Sequence, residues 1–380
     1  MTVLIHTSDW HLGKTFYRQA ADPERQQKLR QERFRAVEAL GAAAEAEGAA
    51  AVLVAGDVFH SNEVSDRVIV AALDAIGRIG IPVVAIPGNH DSGGAGSVWE
   101  RPSLRDQLQK RAPNLVVLQG GPCLHRVGDV DVLALPVMER FQAVRLRDLA
   151  PLVDQLRPSV GLVHASVGEF DEDGGGRSLD LHEGDSLGLA YLAMGDYHRR
   201  QAIPGLPYPA WYSGTHEPDN FPSHRQTGLR AGGCLRIEIS GHENADVRSL
   251  DMGGGMRWIR LRALLRGEED LDRLEAELSD HASGRAQRTM CCVDVADSEL
   301  GFAGMQRLRQ LQARLEPDFE LLSFEGEVRE APTGEELGAL SEFPGLPGLA
   351  AHRLQEISAD PVRCALALAA LARLHRSVRT

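Results

Sequence analysis

Five short apolar runs mark the first half of the chain, and each leads into side chains able to ligate a metal. Val3-Leu4-Ile5 precedes Asp9 and His11, Ala51-Val52-Leu53-Val54-Ala55 precedes Gly56-Asp57, and Val83-Val84-Ala85-Ile86 precedes Asn89-His90-Asp91. Val160-Gly161-Leu162-Val163 ends in His164, and Tyr191-Leu192-Ala193-Met194 leads to Gly195-Asp196-Tyr197-His198. A continuous apolar run that stops at a glycine and turns acidic is the pattern of a buried parallel strand, and open α/β sheets place their sites at the C-terminal ends of such strands. Between these runs the period changes. Phe34, Val37, Leu40 and Ala44 recur at helical spacing up to Gly48, after a polar loop that runs to about Gln27. Val68, Ala72, Ala75, Ile76 and Ile79 form a second apolar stripe, opened by Ser65-Asp66 and closed by Gly80. Strand–helix–strand alternation of this kind predicts a mainly parallel sheet at the N-terminus.

From Leu115 the pattern becomes strand-rich. Positions 115–118, 123–127, 130–135, 160–163, 191–194, 210–212, 233–239 and 245–250 read as short strands with few helices between them, which predicts a second, mixed or antiparallel sheet. Two sheets packed face to face with helices outside bury both inner faces. Positions 171–188, with Gly174-Gly175-Gly176 inside, read as a long loop that either contacts substrate or is simply solvated. Gly253-Gly254-Gly255 is the clearest boundary. Beyond it a small β-α-β-α-β module is expected, then a Pro/Gly-rich connector at 342–348 and a last helix opened by Asp360-Pro361. The expected domains are 1–252, 256–330 and 331–380.

Composition adds limits. At 380 residues two or three structural units are expected, and 43% hydrophobic with 25% charged residues is ordinary for a globular core. No apolar run approaches the ~20 residues that span a bilayer, so a cytoplasmic protein with no membrane partner is expected. The five cysteines include no C-x-x-C and read as reduced core residues. A net charge of −13 argues against holding nucleic acid by electrostatics alone, but bound divalent cations can reverse that locally.

Strand ends that all carry Asp, Asn or His point to one site assembled from many loops. Carboxylates, amides and imidazoles hold the divalent ions that activate water for attack on phosphorus, and two-metal sites clamp the attacking and leaving oxygens. A shared carboxylate is the natural bridge, and the central Asp57 is the candidate. Singly, a D-x-H or an N-H-D is more often a turn or cap, because Asp and Asn favour such positions for local hydrogen bonding. Arg199 and Arg200, directly after His198, are the arginines best placed to touch a phosphate.

In order, Ser8-Asp9-Trp10-His11-Leu12-Gly13, Gly56-Asp57-Val58-Phe59-His60, Gly88-Asn89-His90-Asp91, His164 and Gly195-x-x-His198 resemble the signatures of calcineurin-like metallophosphoesterases. The D-W-H-L-G wording and Tyr212-Ser213-Gly214-Thr215-x-Glu217-Pro218 resemble, more narrowly, the SbcD-type DNA-repair exonucleases. The resemblance covers about residues 1–250. It implies an α/β fold, a four-layer α/β/β/α sandwich, with a smaller C-terminal α+β capping domain. It implies two divalent metal ions, Mn²⁺ or Mg²⁺: Asp9, His11 and His198 on the first, Asn89 and His164 on the second, Asp57 bridging. His90 is implied near the scissile phosphate, with Asp91 supporting it, and His60 stabilises developing charge. The family's usual G-H-x-H stands here as Gly195-Asp196-Tyr197-His198, so Asp196 becomes a ligand candidate for the second metal, in a harder, more anionic shell.

By this resemblance the expected activity is hydrolysis of DNA phosphodiesters, as an exonuclease and endonuclease, and the implied partners are DNA, an SbcC-like ATPase and, as a further option, a second copy of the chain. Two alternatives stay open on the sequence: another metallophosphoesterase, acting on monoesters or small diesters, and a weakly active scaffold for the ATPase.

Overall fold

The computed structural model describes all 380 residues except 18–21, 155, 169–177, 224–230, 243, 253–254, 284–287, 361 and 379–380. The chain divides into two compact units, Met1–Asn220 with Arg225–Met256, and Phe221–His224 with Arg257–Thr380.

In the first unit β1 (Thr2–Thr7), α1 (Pro23–Ala46), β2 (Ala51–Val54), α2 (Asp66–Gly77), β3 (Val83–Ala85), α3 (Pro102–Arg111) and β4 (Leu115–Val117) follow one another, and the four strands pair in parallel. Helix α1 begins earlier than its apolar period shows. Asp22 caps it, its carboxylate accepting from the Glu24 and Arg25 amides, and Pro23 sits where a missing N–H costs nothing. A second sheet is built from β5 (Cys123–Val127), β6 (Val130–Leu135), β7 (Ser159–His164), β8 (Tyr191–Gly195), β9 (Gln201–Ala202) and β10 (Ala210–Tyr212), in the order β5-β6-β7-β8-β10-β9. It is parallel at its centre and antiparallel at both edges.

Strands β11 (Cys234–Gly241) and β12 (Asn244–Leu250) then return to the first sheet, whose order is β12-β11-β1-β2-β3-β4. The expectation that these two and β4 belong to the second sheet is therefore corrected. Alternation reveals a strand but not its neighbour: β11 lies antiparallel to β1, with Thr2 opposite Ile239, and so closes the edge that the parallel run leaves open.

Successive side chains point to opposite faces, and the cores follow. Ile5, Val52 and Val54 pack outward on α1 and α2 with Val37, Leu40 and Ile76. Leu4, Leu53 and Val84 face inward against Val132, Val160 and Ala193 of the other sheet. Each fully buried Val, Leu or Ile among them contributes on the order of 1.5–3 kcal/mol. The outer face of the second sheet, Leu133, Val163 and Met194, is covered by Leu146, Leu149, Leu179 and Leu187. Among the described residues that fourth layer is made of 3₁₀ turns, Leu146–Leu152 and Leu181–Gly184, and loops rather than α-helices. Of the long loop expected at 171–188, residues 171–177 lie outside the described residues, and the remainder is packed into this layer by Leu179 and Leu187.

The second unit contains the expected β-α-β-α-β order in β13 (Arg257–Arg262), α4 (Glu268–Ala282), β14 (Thr289–Asp294), α5 (Phe302–Leu315) and β16 (Leu321–Glu325), with two short paired strands that were not expected, β15 (Glu299–Leu300) before α5 and β17 (Arg329–Glu330) after β16. Its three-stranded sheet, β13-β14-β16, is wholly parallel and packs on Leu271, Leu274, Leu278, Leu308 and Leu311. The connector expected at 342–348 is a turn at 342–345, set between two helices that the sequence reading did not expect, α6 (Gly334–Ser341) and α7 (Leu346–Ser358), the second of which takes in 346–348; the last helix, α8 (Cys364–Val378), follows. The Pro and Gly of this region are punctuation. Thr333 and Glu336 form a reciprocal capping box at the start of α6, and Gly345-Leu346-Pro347 opens α7. All five cysteines are free thiols. Among the described residues no helix is long and apolar enough to cross a membrane.

Candidate metal centre

The two sheets of the first unit present their strand ends to one place. Asp9 and His11 follow β1, Asp57 follows β2, Asn89-His90-Asp91 follow β3, His164 ends β7, and Asp196 and His198 follow β8. Parallel strands in both sheets point their C-termini the same way, which is why residues far apart in sequence meet. Asp9, His11, Asp57 and Asp196 all have positive φ, at 53°, 42°, 55° and 102°. Backbone strain of this kind costs on the order of 1–3 kcal/mol per residue and gathers at functional sites. Two glycines make the close approach possible. A Cβ on Gly56, itself at φ 89°, would overlap the His164 imidazole, and one on Gly88 would overlap the Asp57 carboxylate.

One oxygen occupies the middle. Asp57 Oδ2 lies 3.5 Å from His11 Nε2 and 3.5 Å from His164 Nε2, while Asp57 Oδ1 accepts the His90 backbone N–H at 2.9 Å. On one side, His11 Nε2 and His198 Nε2 are 3.1 Å apart, each 4.0 Å from Asp9 Oδ1. On the other, Asp196 Oδ1 lies 3.5 Å from His164 Nε2 and accepts from Asn89 Nδ2 at 3.0 Å. The donor atoms of Asp9, His11 and His198 fall within 4.8 Å of one another, and so do those of Asp9, Asp57 and His164.

This packing is electrostatically costly without cations. Burial pushes the Asp57 carboxyl up, and despite the pull of His164 it is held at about 7. Burial works against the charged forms of His164 and His198. Asp57, Asp9 and Asp196 nevertheless hold the first imidazolium up to about 9, and Asp219 does the same for the second. His11, buried beside two other imidazoles, is pushed well below its ordinary value. Protons thus offset the clustered carboxylate charge, as a cation would. Two buried acceptors are orphaned: His164 Nε2, whose ring donates through Nδ1 to the Ala55 carbonyl at 2.8 Å, and Asn89 Oδ1. Asn89 Oδ1, and Nε2 once His164 gives up its proton, are free to donate a lone pair, and divalent cations are what such oxygen and imidazole donors bind. The residues present fit the group.

A family model described as calcineurin-like phosphoesterase matches residues 2–246. The chain belongs to that family. Calcineurin-like phosphoesterases work with divalent metals, in agreement with the donor set above. The chain is also similar to the DNA double-strand break repair protein Mre11 of Haloferax volcanii, with 39% identity over 122 residues. That match covers 30% of this chain and 26% of the relative, so the chain spans about a quarter of that protein's length. Against the crystal structure of TT1561 of Thermus thermophilus the identity is 14% and the TM-score 0.39, over 61% of this chain and 98% of that one.

Around the phosphoesterase site several expected roles change. Asp91 does not support the His90 ring. Its carboxylate accepts from the Gly88 amide at 2.7 Å and the Phe59 amide at 3.0 Å, tying the β3 loop to the β2 loop, while His90 Nδ1 donates to the His60 carbonyl at 2.9 Å. His60 stacks on His90 with ring centroids 5.3 Å apart, and its Nδ1 is 3.4 Å from His11 Nδ1. Arg199 and Arg200, expected to face a phosphate, are buried and engaged within the fold. Arg199 donates to Asn220, and Arg200 to the Gly232 carbonyl. Position in sequence placed them beside His198 but could not show that the chain turns them inward.

Two supports escaped the sequence reading. Asp219, just past the Glu217-Pro218 that closes the last motif, accepts from His198 Nδ1 at 3.0 Å and pairs with Lys14, so its carboxyl is held well below the usual range against the cost of burial. An acid one residue beyond a recognised motif was the available signal. Because it fixes which His198 nitrogen faces the centre, Asp219→Asn is expected to weaken Mn²⁺ binding by roughly 10–100-fold, the range for partners of metal-binding histidines. Calorimetric titration reads this; unchanged affinity would deny Asp219 the role. Arg33 is the other. It is the single cation in the buried stripe of α1 (Leu29, Arg33, Ala36, Val37, Leu40), which is a signal that periodicity alone discards.

Proposed function

We propose that the protein is a two-metal DNA phosphodiesterase, an exonuclease and endonuclease of DNA repair. One observation carries the reading: Asp57 places a single oxygen at equal distance from a histidine of each candidate metal set. Asp9, His11 and His198 would hold the first ion, Asn89, His164 and Asp196 the second, with Asp57 shared between them. Asp196 supports a hard ion, Mn²⁺ ahead of softer metals, since its carboxylate already lies within reach of both Asn89 and His164. When bound, the metals supply Lewis acidity at the phosphoryl oxygens and lower the pKa of a water. The chain's own residues do the rest. Asp57 would be the carboxylate shared between the ions, His164 and His198 are held in the ligating tautomer by the Ala55 carbonyl and by Asp219, and with His90 Nδ1–H donating to the His60 carbonyl, Nε2 is the nitrogen that would give a proton to the leaving oxygen when the ring is an imidazolium. The similarity to the Mre11 relative supports DNA as the substrate class. Leu346 and Leu349 of α7 and Leu366 of α8 are largely exposed, which supports a partner on these helices, an ATPase of SbcC type.

The deciding assay gives the purified protein Mn²⁺, Mg²⁺ or chelator, with single-stranded, blunt and hairpin DNA beside a nucleotide monoester. Metal-dependent DNA degradation is expected. Brisk monoester turnover with intact DNA would favour the phosphatase reading, and inactivity on every substrate the scaffold.

The protonation of the candidate ligands predicts a pH dependence. His164 and His198, held at about 9 against about 6.5 unfolded, stabilise the metal-free fold fully below about 6.5 and lose that contribution as pH rises through 9. Asp57, raised to about 7, binds a proton in the fold that the unfolded chain does not bind between about 3.9 and 7, so its contribution also falls as pH rises. A metal must displace these protons. Apparent Mn²⁺ affinity is therefore expected to climb between pH 6 and 9, by roughly tenfold per unit for each proton displaced. Calorimetry in buffers of different ionisation enthalpy counts them, and zero proton release at pH 7 contradicts the prediction.

A further inference from the structure

The stretch Tyr212-Ser213-Gly214-Thr215-x-Glu217-Pro218 contains none of the candidate ligands, yet it is bonded to two of them. Thr215 Oγ1 donates to the Asp9 carbonyl at 2.8 Å, and the Thr215 amide to the His198 carbonyl at 3.2 Å. Ser213 follows β10 of the second sheet, and Ser8 follows β1 of the first. Their hydroxyls are buried with the two oxygens 2.9 Å apart, and Ser8 Oγ is hydrogen-bonded in turn to Asp9 Oδ2. The Gly214 carbonyl is the more distant acceptor for both, at 3.2 Å from Ser213 Oγ and 3.4 Å from Ser8 Oγ.

Each hydroxyl has one proton to give. A carboxylate that ligates a metal is ionised and only accepts, and a hydrogen bond to it is roughly twice as strong as one between neutral groups. Ser8 therefore gives its proton to Asp9, its own oxygen accepts from Ser213, and each bond polarises the next. The outcome is a choice between the two oxygens of Asp9. Oδ2 is engaged by Ser8, while Oδ1 stands 4.0 Å from the Nε2 atoms of both His11 and His198. The Asp196 amide lies 3.3 Å from each oxygen and does not distinguish them. We propose that Ser213 and Ser8 form a hydroxyl chain that turns Asp9 Oδ1 to the first ion, with Ser8 the positioning residue in contact with the ligand and Ser213 acting through it. The chain bears on one ion of the two, since His164 of the second set is oriented by the Ala55 carbonyl instead. The inference rests on the two-metal reading above.

The test is a double-mutant cycle on Mn²⁺ binding, with Ser8→Ala, Ser213→Ala and the double variant. Calorimetric titration gives the affinities, and anomalous scattering from crystals soaked at a limiting Mn²⁺ concentration shows which ion is lost. Ser8→Ala is expected to weaken the first ion by roughly 10–100-fold, the range for groups that orient metal ligands. Ser213→Ala weakens it by roughly three- to tenfold, the smaller effect of one neutral hydrogen bond. The second ion keeps its wild-type occupancy in both. Added to Ser8→Ala, Ser213→Ala costs nothing further, because the oxygen it served is gone. Hydroxyls that merely pack give losses that add, or that fall on both ions together, and either result overturns the chain. Wild-type affinity in Ser8→Ala overturns it too and leaves the two-metal reading standing. If Ser8→Ala does not fold, Ser213→Ala decides alone: loss confined to the first ion supports the chain, and unchanged binding overturns it. A wild type that binds no Mn²⁺ overturns the two-metal reading itself.

Discussion

Asp57→Asn is expected to lower DNA hydrolysis by on the order of 10²–10³-fold or more, while leaving the metal-free fold at least as stable as the wild type at pH 8. The two halves have one cause. Asp57 Oδ2 stands 3.5 Å from both His11 Nε2 and His164 Nε2, so an amide there removes the charge that would hold two cations together. The same charge is a burden when no cation is present. Burial and Asp9 raise the carboxyl towards neutral pH against the pull of His164, and above that pH the fold bears an ionised, largely buried acid. Asparagine relieves this and keeps an Oδ1 for the His90 amide. A residue that merely packs shows the reverse, a loss of stability with activity retained. Scanning calorimetry of the chelated proteins at pH 8 and Mn²⁺ titration separate the cases, and a variant that still fills two sites at wild-type affinity would sink the bridging role.

How far the sequence carried depended on whether the signal was local. Each apolar run and the donor beyond it sit within a dozen residues, so the strand ends and the cluster of Asp9, His11, Asp57, Asn89, His164, Asp196 and His198 were legible, and the structure brings those seven together. Long-range pairing was not. Nothing in the alternation of 233–239 says that β11 lies against β1, because any half-buried edge would suit its pattern. Asp219 and Lys14 are 205 positions apart and meet only once both sheets have formed. In the last 50 residues the Pro/Gly-rich stretch at 342–348 marked a real break, since 342–345 is a turn, but the helices on either side of it, started by Thr333 with Glu336 and by Gly345 before Leu346-Pro347, were not read. Arg199 and Arg200 show the opposite error. Adjacency in sequence was taken for adjacency in function, and the turn after β8 buries both.

Arg33→Met is the substitution expected to cost the first unit most stability, about 3–5 kcal/mol, the range for removing one member of a buried charged network. Its guanidinium is fully buried. It donates to the Asp9 carbonyl at 3.0 Å, to the Trp10 carbonyl at 2.8 Å through Nε, to the Glu217 carbonyl at 2.9 Å and to Thr215 Oγ1 at 3.0 Å. Burial lowers its pKa, but Asp219, Glu217 and Asp9 offset part of that cost. Methionine fills a similar volume and satisfies none of these acceptors, each of which then carries a desolvation penalty of about 1–3 kcal/mol unless water enters. Two of the carbonyls it would abandon, those of Asp9 and Trp10, belong to the loop in which Asp9 and His11 hold positive φ, so metal affinity should fall with stability. Lysine keeps the charge but not the planar fork, and recovers only part of the loss. Saturating Mn²⁺ should return about 2–3 kcal/mol at 100-fold excess over its dissociation constant, because the ions tie the same loop from the other side. Urea unfolding followed by tryptophan fluorescence, with and without Mn²⁺, measures all three. An Arg33→Met protein within about 0.5 kcal/mol of the wild type would show that the loop holds its strained shape without the arginine, and that the first unit's other contacts suffice to position the centre.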